Sequence, residues 1–218
     1  MYLHVEKLAN LLLQGDEDRA WKLILEEHRK GMSSVTLFQE LIAPSMTYIG
    51  ELWETNEIKV ADEHLATMTC DYLLSRYQML QQKDQNKQHV KKAMFLCLED
   101  EQHYLGIKMV SLLFEEHGWD TQLLGANLPL EYTLSAAKKW KPDVIGLSFS
   151  ILYHATKLSE YVIELEQLDH KPMIVIGGRL VSHYDFSNYS QNQTKVIQSL
   201  TELSNWLSYD KGGKKVVD

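Results

Sequence analysis

The sequence predicts an all-α bundle followed by an α/β domain built on a parallel sheet, and three observations carry that expectation. Apolar residues recur at intervals of three and four from residue 3 to about 82, the period of a helix with one buried face. Residues 81–92, "QQKDQNKQHVKK", are polar and break that periodicity, as a linker does. Beyond them short apolar runs alternate with amphipathic stretches, the rhythm of strands and covering helices. The expected boundaries are 1–84 for the bundle, 85–91 for the linker and 92–218 for the α/β domain.

In the first part, Leu8, Leu11 and Leu12 mark one helix and Trp21, Ile24 and Leu25 a second, with "QGDED" as the break between them. A third helix is expected from Ser34 through Trp53, entered by "GMSS" and bent near Pro44, because proline within a helix removes a hydrogen bond. A fourth follows "ETN", where Thr55 or Asn56 can cap it, and runs from Ile58 to about Leu80. Four helices of this size make a small bundle. In the second part the strands are "AMFLCL", "DTQLLG", "DVIGLSFS" and "PMIVIGG", separated by "LGIKMVSLLFEEHG", "EYTLSAAKKW" and "TKLSEYVIELEQL". A Ser/Asn-rich segment then precedes "SLTELSNWLS", and the tail "KGGKKVVD" is expected to fray. The α/β domain is therefore expected to be a Rossmann- or flavodoxin-like, doubly wound parallel sheet with helices on both faces.

Composition narrows the function classes. The chain has 218 residues, 44% hydrophobic and 24% charged, ordinary values for a folded domain. Through residue 90 nine basic residues face fourteen acidic ones, and the remainder has 13 against 16, giving the net charge of −8. Direct binding to duplex DNA is disfavoured by that balance. No run approaches the roughly 18 apolar residues of a membrane span, and "MYLHVEKLAN" lacks the features of a signal peptide. The cytoplasm is the expected compartment. Cys70 and Cys97 lie far apart in apolar-periodic segments and read as buried free thiols.

Ligands of open parallel sheets bind beyond the carboxyl ends of the strands. Three loops at that edge carry chemistry: "EQHYLG" at 101–106, "SFS" at 148–150 and "GG" at 177–178. They bring an imidazole, a hydroxyl and a bare backbone to one place, which implies a large ligand. Residues 107–147 and 151–176 separate them, 41 and 26 positions. In these elements and in their spacing the sequence resembles the cobalamin-binding domains of methionine synthase, base-off mutases, corrinoid methyl carriers and cobalamin-dependent light-sensing regulators. Their shared motif is Asp/Glu-x-His-x-x-Gly, then Ser-x-Leu, then Gly-Gly; here Ser150 stands in place of the leucine.

The resemblance implies a role for each residue. His103 is the metal ligand, taking the lower axial position of cobalt, and neutral imidazole suits first-row transition metals. Glu101 orients it, since a carboxylate accepting the other ring N–H fixes the tautomer and raises basicity. The cofactor's own nucleotide base is displaced and lies between strands, where Gly106, Gly177 and Gly178 permit close backbone approach, Ser148 hydrogen-bonds the base and Ser150 contributes to the wall.

The helical part is similarly implied to be a cap over the upper face of the corrin. Trp53, nine further residues, then Glu63 and His64 resemble the Trp-x9-Glu-His pattern of adenosylcobalamin photoreceptors. On one continuous helix Trp53 and Glu63 would stand about 15 Å apart, so the break at "ETN" is needed for both to face one cavity. The resemblance then places the indole over the adenosyl group and Glu63 on its ribose hydroxyls, with His64 beside them. In the photoreceptor pattern a histidine that can ligate cobalt follows the tryptophan. Here that residue is Glu54, so no stable bis-histidine light state is expected from this position, and His64 or water is the alternative. His154, just beyond the third strand, is expected to be exposed.

The expected cofactor is therefore adenosylcobalamin, with methylcobalamin as the alternative form. The expected function is a stand-alone light sensor rather than an enzyme. It would bear on transcription through a protein partner or self-association, because the regulators' N-terminal winged-helix domain does not precede the cap in this sequence. The alternative is a corrinoid methyl carrier serving two methyltransferases. A cobalamin store or interaction module is a third class.

Overall fold

Helix boundaries in the first part follow from local hydrogen bonding. The computed structural model describes residues 2–80, 90–150, 155–182 and 193–210. Helix α1 spans Tyr2–Leu13 and α2 Glu17–Arg29; α3, Ser34–Leu37, runs through a π turn, Phe38–Ile42, into α4, Ala43–Glu54; α5 spans Val60–Gln78. Asp16 accepts the Arg19 N–H at 3.0 Å and Ser33 the Thr36 N–H at 3.2 Å, each satisfying a donor that the first helical turn leaves open. The expected bend at Pro44 takes the form of the π turn. The Ala43 N–H reaches back to the Phe38 carbonyl, so the ladder widens just before the residue that has no N–H to give.

Thr55 and Asn56 close α4 rather than open α5, which corrects the expected cap. The Asn56 N–H bonds to the Trp53 carbonyl at 3.0 Å and the Glu57 N–H to Leu52 at 2.9 Å, with Asn56 at φ 63°. This is the left-handed termination that asparagine tolerates better than most residues. Helix α5 is opened instead by Asp62, whose carboxylate accepts the Lys59 N–H at 2.8 Å. The helices close over Leu8, Leu12, Ile24, Phe38, Ile49 and Leu74, all buried. Within this core the Tyr77 hydroxyl lies 2.9 Å from Ser34 Oγ and 3.2 Å from His28 Nδ1, so its polar end is satisfied.

The second part is a parallel sheet in the order β2-β1-β3-β4-β5, from β1 (Lys92–Leu98), β2 (Asp120–Leu128), β3 (Val144–Ser148), β4 (Met173–Gly177) and β5 (Thr194–Val196). The helices are α6 (Leu105–Glu116), α7 (Leu130–Trp140), α8 (Ala155–Glu166) and α9 (Leu200–Asp210). Met94, Leu96, Ile145, Leu147 and Ile176 pack with Ala137 of α7 and Leu158 and Leu165 of α8. On the other face Phe95 meets Phe114 of α6 edge-on at 4.8 Å, and Phe114 meets Trp206 of α9 at 6.0 Å. Alternate residues of β1 thus feed two cores, which is why the strands read as unbroken apolar runs. The chain leaves β1 toward β2 on one side and returns to β3 on the other, so the crevice lies beyond the carboxyl ends of β1 and β3. Two elements extend the expectation: β2 continues to Leu128, and β5 falls after the Ser/Asn-rich segment. Residues 85–89 of the expected linker, the tail from 211 and His154 lie outside the described residues.

The chain forms two compact units, residues 1–82 and 83–218. Among the described residues no helix is long and apolar enough to cross a membrane.

Candidate functional site

The loop leaving β1 turns through left-handed backbone at Asp100, φ 67°, and is tied to a second left-handed residue, Asn127 near the end of β2, at φ 52°. The Asp100 N–H donates to Asn127 Oδ1 at 2.8 Å, and the Asn127 N–H donates to the Glu101 carbonyl at 2.9 Å. This exchange turns the Glu101 side chain inward, where it is 0% exposed. Its Oε1 accepts from the His103 backbone N–H at 2.8 Å and lies 2.6 Å from His103 Nδ1. Its Oε2 accepts from the Ser150 N–H at 2.6 Å and the Ser150 hydroxyl at 2.7 Å. Ser150 Oγ also lies 2.8 Å from His103 Nδ1.

Burial pushes the Glu101 carboxyl upward, but the hydrogen bonds from His103 and Ser150 outweigh it and hold the group at about 2. Glu101 is therefore a carboxylate. With the carboxylate oxygen 2.6 Å away, a neutral His103 ring carries its proton on Nδ1 and its lone pair on Nε2. The imidazole side chain is 61% exposed. A buried anion thus fixes the tautomer and aim of an exposed ring, the arrangement typical of metal-binding histidines. Ser150, expected at the pocket wall, instead belongs to the hydrogen-bond network of the carboxylate. Cys97 lies beneath, its Sγ donating to the His103 carbonyl at 3.7 Å. Burial, then the nearby Glu101 charge, push this thiol up to about 12.

Sheet register places the other residues. Cys97 pairs with Ser148, and Ser148 with Gly177, so the ends of β1, β3 and β4 form one row. Ser148 is buried. A methyl group at Gly106 would meet nothing within 4 Å, and at Gly177 only the Ile197 carbonyl at 3.9 Å. There is open space at both positions. Gly178 differs: at φ 136°, a methyl group there would stand 2.1 Å from the Phe149 carbonyl oxygen. Its bareness serves the crossing of two exit loops.

In the helical unit Trp53 lies in the last turn of α4 and is 48% exposed. Glu63 lies in the first turn of α5. The Thr67 hydroxyl donates to Glu63 Oε1 at 2.8 Å, and Glu63 Oε2 lies 3.7 Å from Nε2 of the 73% exposed His64. The chain does turn between Trp53 and Glu63, through residues 55–59. Leu65, Met68 and Tyr72, at helical spacing on α5, are exposed apolar residues, more than a solvated face ordinarily presents.

Sequence reasoning missed Asn127, and also Lys157 and Tyr161 of α8. The Lys157 ammonium donates to Glu99 Oε2 at 3.0 Å and Asp100 Oδ2 at 2.6 Å. The Tyr161 hydroxyl donates to the Leu128 carbonyl at 2.6 Å and accepts the Glu99 N–H at 3.3 Å. An asparagine that precedes "LP" was the only faint signal, since asparagine is enriched in left-handed backbone.

Among the described residues no group of three or more His, Cys, Asp or Glu side chains is arranged to hold a metal ion. A metal accepted by His103 would therefore have to arrive with most of its ligands in place. The donor set and the open space at Gly106 and Gly177 fit a metal macrocycle carrying a long substituent. These features define a class, the α/β domains that hold a metallated tetrapyrrole at the switch point of a parallel sheet. Residues 91–194 and residues 5–77 each match a family model described as a B12 binding domain, and the chain belongs to this cobalamin-binding family.

It is 26% identical over 162 residues to the HTH-type transcriptional repressor CarH of Myxococcus xanthus, covering 73% of this chain and 53% of that protein. The chain thus spans about half the length of that relative. It is 21% identical over 210 residues to dimethylamine corrinoid protein 2 of Methanosarcina acetivorans, covering 91% and 95% of the two chains. The monomethylamine corrinoid protein of Methanosarcina barkeri shares the fold, with a TM-score of 0.68 at 16% identity over 95% of this chain and 99% of that one.

Proposed function

We propose that this cobalamin-binding protein is a light sensor that uses adenosylcobalamin and signals through a protein partner or through self-association. The observation that carries the reading is the placement of Trp53 and Glu63 on either side of the tight turn that joins α4 to α5, both partly exposed. An indole offers a broad apolar contact and a carboxylate accepts hydroxyl protons. That combination suits a nucleoside and is idle against a methyl group. The 26% identity to CarH supports the same reading.

In the sheet unit His103 would hold cobalt through Nε2, steadied by Glu101 and Ser150, while Ser148 and the space at Gly106 and Gly177 would receive the displaced nucleotide tail. When bound, the cofactor supplies a cobalt–carbon bond that light can break. Trp53 and Glu63 favour one arrangement of α4 and α5 only while the nucleoside engages them, and loss of that differential contact re-weights the bundle. Glu54 follows Trp53, so a bis-histidine light state is not expected from that position.

A second reading, a corrinoid carrier that presents a methyl group to methyltransferases, is favoured by the near full-length match to dimethylamine corrinoid protein 2. An absorbance titration with adenosylcobalamin and methylcobalamin, repeated after green illumination, separates the two. His103→Ala should abolish the base-off, His-on spectrum with both. Trp53→Ala and Glu63→Ala should weaken adenosylcobalamin at least about tenfold more than methylcobalamin, a difference of about 1.4 kcal/mol. Equal effects on both cofactors would favour the carrier.

A further inference from the structure

Three consecutive carboxylates, Glu99, Asp100 and Glu101, leave β1, and the first two converge on one ammonium. Lys157 lies in the first turn of α8, where the helix dipole disfavours a cation. Its two charge-assisted bonds, to Asp100 and Glu99, offset that penalty and hold the ammonium above its usual range. One helical turn later on the same face, buried Tyr161 bonds the Glu99 N–H and the Leu128 carbonyl. Helix α8 is thus fastened to the β1 exit at two successive turns. One fastening grips Asp100, the residue whose left-handed backbone aims Glu101.

We infer that Lys157 is a positioning residue for His103: by clamping Glu99 and Asp100 from α8 it fixes the loop that sets Glu101 and, through Glu101, the direction of the imidazole. The inference rests on the reading of His103 as the metal ligand. It goes further in tying that ligand to α8, the helix that begins five residues after Ser150. Glu101 is therefore approached from both sides, by Ser150 directly and by Lys157 through Asp100. Without the ammonium, Glu99 and Asp100 would repel each other and the Glu101 carboxylate, and the left-handed turn at Asp100 would lose the hold of Lys157.

The test uses the cofactor-free full chain with nitrogen-15-labelled histidine, following exchange of the His103 Nδ1 proton, assigned by its loss in His103→Ala. In the wild type the proton should exchange slowly, protected by Glu101. Lys157→Met should speed its exchange about three- to tenfold, while backbone amides of β3 exchange as before. Lys157→Arg should restore the protection. Asp100→Asn tolerates the same backbone conformation and leaves α8 intact, so it should reproduce the effect of Lys157→Met even if that variant folds poorly.

Wild-type exchange in both Lys157→Met and Asp100→Asn would overturn the inference. So would acceleration matched by the β3 amides, or a wild-type proton already unprotected. Adding hydroxocobalamin separates the two claims. If the wild-type spectrum shows no imidazole on cobalt, the ligand assignment fails, while the exchange measurement still decides the role of Lys157.

Discussion

A methyl group added at Gly178 would stand 2.1 Å from the Phe149 carbonyl oxygen on a backbone at φ 136°, and neither backbone can yield without moving a strand exit. Gly178→Ala should therefore lower the stability of the cofactor-free protein by on the order of 2 kcal/mol or more, read from thermal melting. Gly177→Ala and Gly106→Ala meet no such obstruction and should leave that melting near wild type while weakening cobalamin. Glu101 gives a prediction in pH. Its carboxyl is held at about 2 in the fold against an ordinary 4.5. It therefore contributes stability that is fully present above about pH 4.5 and lost as pH falls through about 2. Glu101→Gln should lower stability at neutral pH by on the order of 3 kcal/mol and flatten the acid limb of the melting curve. At this scale the contact of Glu101 with His103 was legible, because a carboxylate two residues before a histidine in a strand-exit loop is unusual for its place. Lys157 and Asn127 escaped because they act on Asp100 from 57 and 27 positions away, and a surface lysine or a loop asparagine carries no mark of its partner.

The segment between α4 and α5 shows what is readable at the scale of an element. "ETN" announces a break, but asparagine and threonine serve at both ends of helices. Only the bonds from Asn56 to Trp53 and from Glu57 to Leu52 reveal that they terminate α4. Asn56→Ala keeps a Cβ in the left-handed region but removes the side-chain amide that helps asparagine tolerate it, and should cost about 1 kcal/mol, whereas Asn56→Gly should be neutral or better, both checked by denaturant melts. Pro44 likewise signals a disturbance in the ladder without saying that a π turn, rather than a kink, absorbs it. Strand β5 has three residues, too short a run to show an apolar period.

Over the whole molecule, the alternation of apolar runs and amphipathic stretches made the parallel sheet and its two helical faces legible. The strand order was not, since order depends on which way each crossover turns, and that is settled by packing rather than local pattern. The helical unit and the sheet unit each close over their own buried residues, and Trp53 and Glu63, proposed to meet the cofactor, are not among them. Trp53 is half exposed, and the Glu63 carboxylate meets its near neighbours Thr67 and His64 on α5. Trp53→Ala and Glu63→Ala should therefore shift the unfolding of the cofactor-free chain by less than about 1 kcal/mol. Calorimetry would check this, and a larger loss would assign them to the fold.

Cys97, packed under the loop that carries His103, has a further chemical consequence. A thiol raised to about 12 by its surroundings holds essentially no thiolate at neutral pH, and thiolate is the form that alkylates, oxidises or competes for soft metals. The sulfur closest to the imidazole is thereby silenced, so iodoacetamide should leave it untouched in the folded chain.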